Sequence, residues 1–188
     1  MLRWQYLLPL WLLALSFKQA APAAHDPGIR FRFRNQAHIL LAPMRPDKMA
    51  DGVRTRTRTT AQLDTLSNCY HLEEQYVEIV RQDRPTNPQL GLALGFEFDE
   101  SNGDYPYTPA HAVLQLKNFS WGGVEFAAND TLNYTGISNA ISDDFDIQVD
   151  YYRNDTIAGH FSGLLLNGAG GVAGLEEGRF AVRVYRVR

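Results

Sequence analysis

The sequence predicts an all-β protein, built as an antiparallel β-sandwich or, as the alternative, an open β-barrel. Two observations favour this class. Apolar side chains occupy every second position in several short segments, most clearly in residues 90–98, which alternate Leu, Leu, Leu, Phe and Phe with other residues. Turn-forming Gly, Pro, Asn and Asp separate these segments at short intervals, as in sandwiches and barrels.

The N-terminus has the pattern of an export signal. Residues 7–17 form an apolar run that would span ~17 Å as a helix, about half of the ~30 Å hydrocarbon core of a membrane. Ala21 and Ala23 place small residues where a signal peptidase cleaves. We therefore expect a signal peptide over 1–23 and a single antiparallel β domain over 24–188. The mature chain is expected to be secreted, or periplasmic or in the cell envelope, without a stable membrane span.

The first half of the mature chain contains two alternating segments and one ambiguous segment. Residues 29–34 alternate Ile, Phe and Phe with three arginines, which predicts a strand with one buried face. Residues 54–59 alternate Arg with Thr and predict a solvated edge strand. Residues 61–82 fit a helix or a strand, and the strand-forming run at 76–80 favours a strand near 70–81.

The second half continues with short extended segments. A polar loop at 99–109 follows the 90–98 strand, and alternation resumes at 111–119 and again near 132–137. The last 45 residues predict a three-strand meander, because alternating segments are separated by the turn 153–155 and by the glycine-rich connection 167–171.

Cys69 is the one cysteine of the chain, which excludes an intramolecular disulfide and a cysteine-based zinc finger. We expect it to be buried and inert, because a nucleophilic role requires a neighbouring His or a helix N-terminus to lower the thiol pKa. His71 is close in sequence.

Charge is distributed unevenly along the chain. Residues 24–60 hold eight cationic and three anionic side chains, residues 61–178 hold four and eighteen, and the last ten residues add four arginines. Complementary pairing between strands explains this layout. The alternative is a basic strip that binds an anionic glycan, another anionic envelope component or a partner protein, built from Arg54, Arg56, Arg58, Arg183 and Arg186. Nucleic acid is not an expected partner of an exported, net acidic chain.

Catalytic motifs are missing from the sequence. It contains no Gly-x-Ser-x-Gly elbow, no His-Glu-x-x-His metal motif and no phosphate-binding loop, so no catalytic residue, metal ligand or cofactor is assigned. His160 and Ser162 share a strand face, at a spacing that does not ensure contact. Paired acids such as Glu73–Glu74 and Asp99–Glu100 do not show by themselves which two carboxyl groups lie at the distance that a glycosidase needs.

Aromatic residues in loops suggest a ligand site. Tyr105 and Tyr107 lie in a Pro-containing loop, and Trp121 precedes two glycines. Sugar-binding proteins stack pyranose faces on such rings. The alternative is that Trp121 caps the core and that the two tyrosines lie at its rim.

The C-terminal meander resembles a group of small exported domains. Ile157-x-Gly159-x-Phe161-Ser162-Gly163-x-Leu165, followed by Gly178-Arg179-Phe180-x-Val182, is similar to the closing strands of domains of unknown function from Bacteroidota-type bacteria. The resemblance covers about 40 of the 188 residues and implies an exported β-sandwich. This chain has no lipidated Cys and has His160 where that pattern commonly has Thr. The group has no assigned catalytic residues.

Three functional hypotheses remain at this level. The first is a secreted, non-enzymatic protein that binds an envelope component, a glycan or a protein partner. The second is a secreted hydrolase whose site combines scattered acids and histidines. The third is a structural protein that adds an edge strand such as 54–59 or 180–187 to the sheet of a neighbour.

Overall fold

The computed structural model describes residues 28–43, 67–85, 90–118, 133–139 and 144–188. The expected signal peptide 1–23, the Arg/Thr segment 54–59 and Trp121 lie outside the described residues, so the predictions made for them stay predictions.

Strands make up most of the described chain, which confirms the all-β class. They are β1 Gly28–Phe33, β2 Gln36–Leu40, β3 Ala42–Pro43, β4 Asn68–His71, β5 Tyr76–Gln82, β6 Leu90–Glu97, β7 Ala112–Asn118, β8 Asn133–Ser138, β9 Phe145–Arg153, β10 Thr156–Asn167, β11 Val172–Arg183 and β12 Tyr185–Val187.

The strands form one curled sheet with the order β12-β4-β5-β6-β7-β8-β10-β11-β1-β2, in which β3 pairs with β5 and β9 pairs with β10. The curled sheet makes a half-barrel around a single hydrophobic core. Its architecture is therefore that of the open-barrel alternative, since the strands do not separate into two facing sheets. The sheet is mixed, because β12 runs parallel to β4 while the other described pairs are antiparallel.

The ambiguous segment 61–82 contains a β-hairpin where the structure describes it. A strand was expected near 70–81, and the structure has two strands there, β4 and β5, which pair antiparallel with Tyr70 opposite Val77. Residues 72–75 form the turn between them. Glu73 and Glu74 interrupt the apolar pattern because they occupy this exposed turn.

The three-strand meander is confirmed as β9, β10 and β11. Phe180 and Ala181 do not form an edge, however, because they pair with β10 on one side and with β1 on the other. These two residues are therefore not available for strand addition, whereas β12, the last part of the 180–187 segment, lies at one end of the sheet.

Glycines in the meander allow strands and rings to approach closely. A Cβ on Gly163 would lie 2.4 Å from the Asp144 carbonyl oxygen, at the point where β9 begins. A Cβ on Gly178 would lie 2.3 Å from the Phe161 ring. The first part of β10 pairs with β9, and its last residues pair with β8.

Most of the strands contribute buried apolar side chains to the interior of the half-barrel. Ile29, Phe31 and Phe33 of β1 are at most 4% exposed, as their alternation predicts. They share one core with Leu92, Leu94, Phe96, Phe145, Ile147, Val149, Phe161, Phe180 and Val182. Among the described residues, the structure has no helix of the length and hydropathy needed to cross a membrane.

Candidate functional site

The loop between β6 and β7 carries Tyr105 and Tyr107, the two tyrosines that the sequence predicts to bind a ligand. Tyr107 forms two backbone hydrogen bonds with Val149 of β9: its N–H donates to the Val149 carbonyl at 2.8 Å, and its carbonyl accepts from the Val149 N–H at 2.7 Å. Tyr105 and Tyr107 are both half-buried and pack against the core. The loop is thereby attached to β9, and its tyrosines have defined positions at the rim.

Phe98, at the start of this loop, is the centre of an aromatic cluster. Its ring is 1% exposed and meets three tyrosine rings edge to face. The centroid distances are 5.1 Å to Tyr152, 5.6 Å to Tyr70 and 6.1 Å to Tyr107. Edge-to-face pairs of this kind contribute about 0.5–1.5 kcal/mol each beyond the area that they bury. The cluster therefore holds the inner side of Tyr107 in place.

A cleft of about 290 Å³ opens beside this cluster. Its lining residues come from the β4–β5 turn and from the end of β6 with the loop that follows: Glu74, Gln75, Glu97, Phe98, Asp99 and Tyr107. The Phe98 N–H donates to the Gln75 carbonyl at 2.7 Å and joins the two walls. The volume is at the lower end of the ~300–1,000 Å³ range of small-molecule sites.

The lining is polar and acidic. Glu74, Glu97 and Asp99 contribute carboxyl groups, and none of the described lining residues is cationic. Ser101 donates to Asp99 from its hydroxyl at 2.7 Å and from its backbone N–H at 2.8 Å, and these hydrogen bonds lower the pKa of Asp99. Burial, and then the charges of Glu97 and Asp99, raise the pKa of the Tyr107 hydroxyl. At neutral pH the cleft therefore combines an ionised Asp99 with a neutral phenol, which disfavours anionic ligands.

The hydrolase alternative stays a prediction. A glycosidase needs one carboxyl with a raised pKa to protonate the leaving group and a second carboxyl that is ionised, and the lowered pKa of Asp99 fits only the second role. His160 does pair with a carboxylate, since its Nδ1 lies 3.0 Å from Asp150 Oδ1. That pair, like Ser162, lies on the exposed face of the β9–β10 ladder and does not line the cleft.

The described residues offer no metal centre. No group of three or more His, Cys, Asp or Glu side chains within them has the geometry to hold a metal ion. Cys69 is buried, at 5% exposure, and its pKa is raised by burial and then by the nearby Glu78. A raised pKa favours the protonated thiol. The expected burial of Cys69 is confirmed, and its inertness stays a prediction.

The two described members of the basic strip are engaged within the protein. The guanidinium of Arg183 lies over the Tyr185 ring, 5.8 Å from its centroid. Arg186 forms ion pairs with Glu100 at 2.7 Å and with Asp155 at 3.2 Å. At Arg186, complementary pairing between the basic C-terminus and the acidic middle of the chain accounts for the charge pattern. Arg54, Arg56 and Arg58 lie outside the described residues.

Five of the six lining residues were not predicted from the sequence to bind a ligand. Glu74 and Asp99 appear in the sequence as members of acidic pairs, Phe98 as part of the apolar alternation at 90–98, and Gln75 and Glu97 carried no functional prediction. The available signal was the hairpin itself: a turn at 72–75 places Gln75 next to Phe98, because β5 and β6 pair with Tyr76 opposite Glu97. That pairing brings Glu74, Gln75 and Glu97 to one edge of the sheet.

Comparison with known proteins gives no relative: no family model, curated protein or solved structure matches this chain.

Proposed function

We propose that this protein is an exported, non-enzymatic binding protein that takes a neutral glycan in the cleft beside Tyr107. The observation that carries the proposal is the composition of the cleft, where an aromatic ring stands beside three carboxyl groups and the Gln75 side chain. Export rests on the N-terminal sequence pattern and on the resemblance of the C-terminal meander to exported domains.

The chemistry of the lining matches a polyhydroxylated ligand. The lining is mostly polar, and its carboxylate and amide oxygens accept hydrogen bonds from sugar hydroxyl groups, while the Tyr107 ring supplies a smaller apolar part. Anionic glycans would meet the acidic groups of the cleft and are disfavoured by repulsion. The volume of about 290 Å³ suits one sugar unit of a longer chain, because the cleft is open to solvent.

A glycan array with neutral and acidic glycans, followed by calorimetry, tests the proposal. Glu97→Gln keeps the size of the side chain and removes its charge, and it should weaken binding of a neutral glycan by about tenfold, since a hydrogen bond to a charged group contributes roughly 1.5–3 kcal/mol. Tyr107→Ala should weaken binding at least as much. Tyr151→Ala is the matched control, because Tyr151 does not line the cleft.

Two outcomes would reject the proposal. One is that the unmodified protein binds no neutral glycan, and the other is that Glu97→Gln and Tyr107→Ala both bind as the parent does. Trp121→Ala in the same series determines whether Trp121, selected from the sequence, belongs to the site.

A further inference from the structure

Arg186, near the C-terminus, contacts two separate parts of the rim around the cleft. Its guanidinium binds Glu100 through two nitrogens, with Nη2 at 2.7 Å from Oε2 and Nη1 at 3.2 Å from Oε1. Its Nε donates to Asp155 Oδ1 at 3.2 Å, and its Nη2 donates to the Tyr152 hydroxyl at 3.2 Å. One side chain therefore joins the β6–β7 loop to the β9–β10 hairpin.

These contacts lead directly to residues that line the cleft. Glu100 is the neighbour of Asp99 in the chain, and the Tyr152 ring packs against Phe98 at 5.1 Å. Both Asp99 and Phe98 belong to the lining. The position of the Arg186 guanidinium thus affects one wall of the cleft through a single intervening contact.

The backbone of the same strand holds the opposite wall. Tyr185, Arg186 and Val187 of β12 pair in parallel with Cys69, Tyr70 and His71 of β4. The Leu72 N–H then donates to the Val187 carbonyl at 3.0 Å, at the start of the turn that carries Glu74 and Gln75. Both walls of the cleft are consequently attached to one strand of three residues.

The β9–β10 turn has Asp155 at a position where glycine is usually preferred. Asn154 and Asp155 have φ values of 52° and 57°, which is the left-handed conformation of both central residues in a two-residue hairpin turn. Glycine is preferred at the second of these positions. Asp155 instead supplies the carboxylate that accepts from Arg186 and from the Tyr152 hydroxyl at 3.2 Å.

We propose that Arg186 is a positioning residue, and that β12 acts through it as a brace that fixes the two walls of the cleft relative to each other. The role of the brace in ligand binding rests on the proposed function, whereas the brace itself is independent of any ligand. The side chains of these ion pairs are partly exposed: 46% for Arg186, 33% for Glu100 and 38% for Asp155. Ion pairs at such exposure contribute about 0–1 kcal/mol to global stability. The main effect of losing them is therefore local opening of the rim.

Hydrogen–deuterium exchange on the full chain without ligand tests the brace. Arg186→Gln should accelerate amide exchange in 72–75 and 98–107 by about tenfold, while exchange in β10 and β11 stays at the rate of the parent. Arg188→Gln is the matched control, because it removes an exposed arginine at the same chain end that lies just after β12. Arg186→Lys keeps the positive charge but cannot bind Glu100 through two nitrogens. Its amide exchange rates in the two segments should lie between those of the parent and of Arg186→Gln. It also serves as the test variant if Arg186→Gln fails to fold.

The brace proposal is overturned if Arg186→Gln exchanges at the rate of the parent in both 72–75 and 98–107. If Arg186→Gln does not fold, the same result for Arg186→Lys overturns it. A binding measurement separates the two proposals. If the parent binds a neutral glycan, Arg186→Gln should weaken binding by several fold and Arg188→Gln should leave it unchanged. If the parent binds no glycan but Arg186→Gln still accelerates exchange, the proposed function fails and the brace stands. Equal glycan affinity in the parent and Arg186→Gln would show that the brace does not position the ligand site.

Discussion

The β9–β10–β11 meander and the β4–β12 pair hold the same sheet together in different ways. In the meander, neighbouring strands are consecutive in the chain, and β10 and β11 are twelve residues long. The β4–β12 pair joins distant parts of the chain through three paired residues in parallel. Because closing a long loop costs entropy that three residue pairs offset poorly, we infer that the meander is the stable part of the sheet. The candidate cleft lies near the short β4–β12 pair, where side chains such as Arg186 add contacts to the three paired residues.

The largest expected effect is a loss of core packing in the meander. Phe161 is 2% exposed and stacks on Phe180 with ring centroids 6.4 Å apart. Phe161→Ala should reduce the free energy of unfolding by about 3–5 kcal/mol, measured by urea denaturation. Leu166→Ala on the same strand is the control, because Leu166 is 44% exposed and should change stability by no more than about 0.5 kcal/mol. Equal losses in the two variants would contradict the packing of Phe161 in the core.

A smaller loss is expected where two meander strands approach closely. A Cβ on Gly159 would lie 2.1 Å from the Gln148 carbonyl oxygen and 2.6 Å from the Phe180 ring. Gly159→Ala should therefore reduce the free energy of unfolding by about 1–3 kcal/mol through overpacking. Gly174→Ala in β11 is the control, because the nearest atom to its added Cβ, Glu176 Oε1, is 4.0 Å away. That variant should be neutral or slightly stabilised, and a loss as large as that of Gly159→Ala would reject the steric explanation.

The smallest effect concerns a carboxyl group on the β4–β5 side and depends on pH. Burial raises the pKa of Glu78, and His71 partly opposes the shift. A carboxyl whose pKa is higher in the folded state than in the unfolded state destabilises the fold once it ionises, so its cost is absent below the unfolded pKa and full above the folded pKa. Glu78→Gln should accordingly raise the Tm at neutral pH, by no more than about 2–4 °C, which is the shift that ~1 kcal/mol gives in a chain of this size.

Thermal unfolding at two pH values measures this effect. The gain should disappear below about pH 4, because Glu78 is then protonated in both states. Glu73→Gln is the control on the adjacent exposed turn and should leave the Tm unchanged at both pH values. A lower Tm for Glu78→Gln at neutral pH would show that the ionised carboxylate is stabilised by its surroundings.

Local patterns predicted the strands of the meander well. The alternation of Ile157, Gly159 and Phe161 was visible in the sequence, and the structure explains it, since the glycines leave room for neighbouring backbone and rings. The same pattern did not reveal that β10 changes partner from β9 to β8, because that change depends on where two other strands end. Among the candidate site residues, Tyr107 lines the cleft, whereas Tyr105 packs against the core and does not line the cleft.

The alternation of side chains along this chain was sufficient to determine that it forms strands and which face of many of them is buried, because a strand exposes its residues with a local period of two. Tertiary structure decided which strands became neighbours, that one sheet curls around a single core, and that the C-terminal strand runs parallel to β4. It also assembled Glu74, Gln75, Glu97 and Asp99 beside Tyr107. Those choices depend on contacts between residues far apart in the chain, whose energies no local pattern contains.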